Sequence, residues 1–168
     1  MALLVATSNM IRKSGIPLRV VSGGGTGTYA ISGKYTGVTE IQAGSYLTMD
    51  SQYHENVGIK EFNYAMTLIT TVIHVRGARA ITDAGIKSLS TDFGMPIVAN
   101  PPGWKVSKLN EEHGSLEQTG GSSLRVGDKV EIIPSHGCTT INLHDVFHVV
   151  RNGKLEAIWP ISGRGKSN

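Results

Sequence analysis

A single cysteine, Cys138, serves all 168 residues. One thiol forms no intrachain disulfide, and it fits a reducing compartment. Aromatic residues hold only 6% of the chain and charged residues 17%, against 39% hydrophobic. That balance is globular and too apolar for a disordered chain. No run approaches the roughly 20 apolar residues that a membrane-spanning helix needs. Met1–Ala6 is apolar but lacks a basic flank and a long apolar core, so it is not expected to act as a signal peptide. The cytoplasm is the expected location. The net charge of +3 is spread over scattered Lys and Arg, of which only Arg12 and Lys13 are adjacent, so neither a nucleic-acid nor a membrane partner is expected.

Glycine is what the chain has in excess. There are 21, against a usual share of about 7%. Most fall in turns, which points to β structure with short connections. The first 46 residues read differently. Leu3–Lys13 suits a helix with Leu3, Leu4, Met10 and Ile11 near one face, closed by Gly15 and Pro17. Leu18–Val21 then suits a short strand, and the glycine run Ser22-Gly23-Gly24-Gly25-Thr26-Gly27-Thr28 follows at once. Helix, strand and glycine loop in that order belong to an α/β layout. From Thr67 the β-branched content rises. Thr67–Val75, Ala80–Thr82 and Lys129–Ile133 read as strands, Pro96–Trp104 as a loop, and Thr119–Ser123 as a turn. Val146–Arg151, Asn152-Gly153 and Lys154–Trp159 form a hairpin with a type I′ turn. The expected architecture is the end of an α/β unit over residues 1–46, then a β domain over 47–168.

Two motifs carry chemistry. Glycines directly after a strand let backbone N–H groups converge on an anion. No Gly-Lys-Ser/Thr follows, so the run is no Walker loop. Gly25-x-Gly27-x-x-Ala30 matches a loose dinucleotide fingerprint, but Ile31–Gly37 is a poor helix former and a Rossmann site is rejected. The run reads as a phosphate cup or as a plain flexible turn. Gly44 and Ser45, at the end of a strand-like segment from Gly37, are placed to add an N–H and a hydroxyl to the same anion.

The second motif is Pro134-Ser135-His136-Gly137-Cys138. In an extended strand, His136 and Cys138 would share one face. Imidazole and thiol favour a borderline-soft ion such as zinc, and two ligands leave open coordination positions. The plainer reading is a small buried thiol beside a satisfied histidine. His144 and His148 would share that face in an unbroken strand, but both read as ordinary. Glu111-Glu112-His113 reads as solvated loop charge.

These segments, in this order, resemble the D-threonine aldolase and D-serine dehydratase family, the metal-activated branch of the alanine-racemase-like pyridoxal phosphate enzymes. The matching residues are Ser22–Tyr29, Glu40–Tyr46 with Met49-Asp50, and Asp83-Ala84-Gly85. Glu111–Gly114, Pro134-Ser135-His136-x-Cys138 and Trp159-Pro160-Ile161 with Arg164-Gly165 complete the set.

The resemblance implies that a mainly β domain, barrel- or sandwich-like, follows the last helix and strand of a (β/α)₈ barrel. Gly24, Gly25 and Thr26, with Gly44 and Ser45, would hold the phosphate of pyridoxal 5′-phosphate, and Gln42 would face its pyridine nitrogen. His136 and Cys138 would hold a divalent metal, zinc or else manganese. The substrate would be a small D-3-hydroxy amino acid and the assembly a homo-oligomer, a dimer. The thiolate ligand is typical of the dehydratases, whereas the glycine run and Gln42–Tyr46 look more like the aldolases. The lysine that carries the cofactor belongs to the early barrel in this family, upstream of the segments matched here, so this chain alone is expected to be inactive. Two other readings stand beside it: a non-catalytic β domain that pairs with another chain, and a zinc-binding structural module. Either way, Leu18, Val20 and Val21 are expected to need apolar cover.

Overall fold

A computed structural model describes residues 1–166. Helix α1 spans Ala2–Lys13, with Arg12 and Lys13 in its last turn, where cations suit the helix dipole. Gly15, at φ +85°, reverses the chain behind it. The face expected to be apolar packs only in part. Leu3 and Met10 are exposed, while Leu4 lies against Gly23, Val5 against Gly37, and Ser8 is buried. Leu4, Val5, Ser8 and Ile11 therefore form the inner stripe. Glycines on the facing segments leave room for Leu4 and Val5.

The strand expected at Leu18–Val21 runs extended but reduces to one parallel bridge, Ser22 with Glu40. The Val21 N–H donates to the Thr39 hydroxyl at 2.8 Å, and the Val21 carbonyl accepts from the Thr39 N–H at 2.9 Å. A side chain thus takes a place that a second strand would fill. Val21 is buried and already covered, whereas Val20 stays exposed. Helix α2, Tyr29–Ser32, lasts one turn and stops at Gly33.

The β domain is an antiparallel sheet of six strands in the order β3-β6-β1-β2-β5-β4. These strands are β1 Leu68–Arg76, β2 Arg79–Thr82, β3 Ile97–Asn100, β4 Trp104–Leu109, β5 Gly114–Gln118 and β6 Lys129–Ile133. The end strands β3 and β4 follow each other in sequence through Pro101–Gly103 and lie side by side, so the sheet nearly closes on itself. The inner face alternates as a half-buried strand requires: Trp104 and Val106, Leu116, Val130 and Ile132 point in, around Val72, Ala80 and Leu89.

β3 corrects the loop expected at Pro96–Trp104. Ile97 pairs with Ile133 and Val98 with Ile132. Pro96 and Pro101 flank the strand, where no ladder N–H is needed.

Strands β7, Val146–Arg151, and β8, Lys154–Pro160, form the expected hairpin as a separate two-stranded sheet. Asn152 and Gly153 both have positive φ, 51° and 73°, as a type I′ turn demands. Among the described residues, no helix is long and apolar enough to cross a membrane.

Candidate cofactor and metal site

The two segments expected to form a phosphate cup meet. The Gln42 N–H donates to the Gly24 carbonyl at 3.2 Å, and the Tyr46 N–H donates to the Thr26 hydroxyl at 3.2 Å. Thr26 is buried, so this bond is shielded from water. Gly24 has φ +82°, and a Cβ there would sit 2.6 Å from the Ser32 Oγ, so both backbone and packing demand glycine. Gly25 and Gly44 have open space, with no atom nearer to an added Cβ at Gly25 than 3.8 Å. Thr26–Thr28 and Ser45–Leu47 each turn into a short 3₁₀ segment directly after a glycine. The Ser22 hydroxyl, at the foot of the run, is buried and meets no hydrogen-bond partner among the described residues. An orphaned hydroxyl beside an open glycine cradle fits an anionic group.

His136 and Cys138 sit on a different scaffold from the one expected. β6 stops at Ile133, Pro134 follows, and helix α3 runs Gly137–Ile141 with His136 as its extended N-cap residue. His136 and Cys138 therefore do not share a strand face, contrary to expectation. A proline after the strand and small residues at the turn start a helix instead. Cys138 lies in the first turn of α3 and is exposed. His144 is bound elsewhere, its Nε2 lying 2.9 Å from the Ser88 carbonyl, as an ordinary structural histidine. Glu111 and Glu112 both pair with Lys87 at the surface.

Asp50 fixes the turn that carries His136 and Cys138. It is fully buried, and its Oδ2 accepts the Gly137 N–H at 2.8 Å while Oδ1 accepts the Tyr53 N–H at 3.1 Å. Asp50 follows Gly44 and Ser45 by a few residues. The same stretch of chain therefore touches the glycine run at one end and the His136 turn at the other.

A second set of residues, invisible as a motif in the sequence, surrounds His136. Its Nδ1 lies 2.5 Å from Asp92 Oδ2. Phe93 stacks on the ring, with centroids 4.3 Å apart and planes inclined by 28°. The Thr139 hydroxyl lies 3.2 Å from each Asp92 oxygen, and the Ser90 hydroxyl donates to Oδ1. Burial pushes the Asp92 carboxyl up, but the bonds from Ser90, His136 and Thr139 more than offset it and hold it below the usual range. Among the described residues, no group of three or more His, Cys, Asp or Glu side chains converges as a metal cage. The donors at hand are the imidazole and the thiol. Neutral imidazole and thiolate fit a borderline-soft ion that keeps open positions.

With a nearly closed β sheet, a glycine cradle and a histidine–cysteine turn joined by one segment, the chain belongs to the family described as "Putative serine dehydratase domain", whose model matches residues 65–150. It is 38% identical over 164 residues to a 3-hydroxy-D-aspartate aldolase of Paracoccus denitrificans, a match that covers 93% of this chain and 42% of that protein. It is 39% identical to a D-threonine aldolase of an Arthrobacter species, over 95% of this chain and 43% of that protein. Among solved structures, a D-threonine aldolase from Filomicrobium marinum superposes with a TM-score of 0.93 at 34% identity, covering 99% of this chain and 47% of that one. A metal-free cysteine-to-alanine mutant of a D-threo-3-hydroxyaspartate dehydratase superposes with a TM-score of 0.82 at 26% identity, over 95% and 48% of the two chains. The chain thus spans less than half the length of each of these four proteins, and its fold is the mainly β, alanine-racemase-like one that the resemblance implied.

Proposed function

We propose that this chain provides the metal corner and the phosphate corner of a pyridoxal phosphate-dependent lyase that acts on D-3-hydroxy amino acids. Residues 1–46 supply the phosphate cradle, and residues 47–168 supply the β domain that bears the metal ligands. One observation carries the reading. Asp50 ties the His136–Cys138 turn to the segment of Gly44 and Ser45, and that segment is tied to the glycine run through Thr26 and Gly24.

When bound, pyridoxal phosphate supplies an electron sink and the divalent ion a Lewis acid. The chain's own residues bind and orient. The Gly25 N–H is spent on the Thr28 hydroxyl at 3.2 Å, which leaves the backbone N–H groups of Gly24, Thr26, Gly27, Gly44 and Ser45 to donate to an anion, and the buried Ser22 hydroxyl offers one more donor. Gln42 presents a neutral amide, which does not force a proton onto a ring nitrogen placed against it. His136 and Cys138 hold the ion, zinc in preference to manganese because of the thiolate. The relatives include aldolases and a dehydratase, and both reactions start from a β-hydroxyl beside an amino-bearing Cα. The substrate class is therefore common to them, and the choice between carbon–carbon cleavage and loss of water depends on where a base stands.

The test is zinc retention after dialysis. Cys138→Ala and His136→Ala should each lose most of the zinc held by the parent chain. Unchanged zinc content in both variants would sink the ligand assignment and leave the β domain as a purely structural module.

Self-association into a dimer is supported by the β7–β8 hairpin. Val150, Leu155, Ile158 and Trp159 are all more than half exposed, and the hairpin borders a groove of about 930 Å³ against Leu68, Ile69 and Ile141. Sedimentation at rising concentration checks this, and a strict monomer speaks against it.

A further inference from the structure

We propose that Asp92 is the positioning residue of His136: by accepting the Nδ1 proton it fixes the ring's tautomer and plane, so that the lone pair on Nε2 is presented to the metal. The inference rests on the reading of His136 as a metal ligand and extends it to a residue that sequence reasoning did not single out.

An ionised carboxylate only accepts hydrogen bonds. At 2.5 Å from Asp92 Oδ2, His136 Nδ1 must therefore carry a proton. In a neutral imidazole, the other nitrogen then holds the lone pair. Among the described residues, His136 Nε2 meets no hydrogen-bond partner. The edge bond sets one rotation of the ring, and Phe93, stacked at 4.3 Å, sets the plane. Together they leave the imidazole one orientation.

Asp92 is itself held in place. The Ser90 hydroxyl donates to Oδ1, and the Thr139 hydroxyl, next to Cys138, reaches both oxygens. The loop that carries Asp92 is docked at three points, one on α3 and one on each side of it. The Ser135 hydroxyl donates to the Ser90 carbonyl at 3.1 Å, the Ser90 N–H donates to the Thr140 hydroxyl at 3.1 Å, and the His144 ring meets the Ser88 carbonyl. The loop is thus fastened to the same short helix whose first turn bears the thiol. Imidazole and thiol keep a fixed relation, which is what an outer carboxylate contributes at a histidine–metal site.

The test begins without metal. Nitrogen-15 NMR of His136 in the full chain at about pH 8, where a free imidazole is neutral, should show Nδ1 protonated and Nε2 bare. Asp92→Ala should give a mixture of the two tautomers and a zinc affinity lower by about 10- to 100-fold. Asp92→Asn keeps an acceptor oxygen and should retain the wild-type tautomer with most of the affinity. A wild-type ring protonated on Nε2 overturns the proposal, and that measurement needs no variant to fold. So does an Asp92→Ala chain with unchanged tautomer and unchanged zinc affinity. If Asp92→Asn loses zinc as fully as Asp92→Ala while keeping the tautomer, the carboxylate is a direct ligand and the positioning role is wrong. Failure of the underlying reading shows separately, as zinc retained by His136→Ala.

Discussion

Asp50 Oδ2 accepts the Gly137 N–H at 2.8 Å across 87 positions of sequence. The carboxylate is fully buried, and its other oxygen holds the Tyr53 N–H. Charge-assisted bonds of this kind contribute about 1.5–3 kcal/mol each, and a donor left buried without a partner costs a further amount. Asp50→Ala should therefore lower stability in urea by about 3 kcal/mol and reduce zinc retention, because the first turn of α3 is released. Asp50→Asn, which keeps an acceptor for one of the two N–H groups, should fall between. Equal midpoints for Asp50→Ala and the parent chain would remove Asp50 as the tie between the two corners.

The Thr26 hydroxyl joins the glycine run to Ser45-Tyr46. Thr26→Val keeps the shape but leaves the Tyr46 N–H without its acceptor, at a cost of about 1–3 kcal/mol. Titration calorimetry with inorganic phosphate should then show weaker binding than in the parent chain. Thr36→Val, at an exposed position, should bind as the parent does. If Thr26→Val and the parent bind phosphate equally, the two segments do not act as one cradle.

The parts of this arrangement that were legible in the sequence are those set by local chemistry. Asn152-Gly153 dictates its turn, alternation dictates β6, and the glycines of Gly23–Gly27 mark a place where other groups must come close. His136 and Cys138 were legible as a pair but not in their geometry, because Pro134 breaks the strand and a two-residue spacing means different things in a strand and in a helix turn. β3 was hidden between two prolines, since its pairing with Ile132 and Ile133 is a long-range fact. Asp92 was hidden for the same reason. Nothing in Ser90-Thr91-Asp92-Phe93 announces that it folds onto a histidine 44 residues away. The packing face of α1 was legible only at Leu4 and Ile11, because glycines at positions 23 and 37, not the size of Leu3 and Met10, decide which side approaches.

Leu116 lies at the centre of the nearly closed sheet with no exposed surface, between Ala80 on β2 and Val106 on β4. Leu116→Ala should lower stability by about 2–5 kcal/mol through lost burial and the cavity left behind. Ile69 is 61% exposed on β1, and Ile69→Ala should change stability by no more than about 0.5 kcal/mol. Urea midpoints at constant slope read both. Equal losses at the two sites would mean that the inner face of the sheet is assigned to the wrong side.

Glu55 gathers three partners at the surface. The Lys60 ammonium, the His54 ring and the Tyr64 hydroxyl hold its carboxyl down to about 2, against only slight opposition from burial. The Tyr64 hydroxyl is pushed up in turn, by burial first and then by the facing carboxylate. Because the folded-state value lies below the unfolded one, this cluster stabilises fully above the ordinary carboxylate range and loses its contribution as pH falls toward about 2. Glu55→Gln should remove that dependence. The difference in stability between parent and variant should be constant near neutrality and shrink between about pH 4.5 and about pH 2. The effect should be modest and reduced by salt, since the carboxylate is about half exposed, at 48%. Amide exchange between residues 54 and 64 should rise in the variant at neutral pH, where the cluster pins the turn at Gln52–Asn56 to the loop behind it. Parallel acid curves for the two chains would show that Glu55 keeps the same proton affinity folded and unfolded.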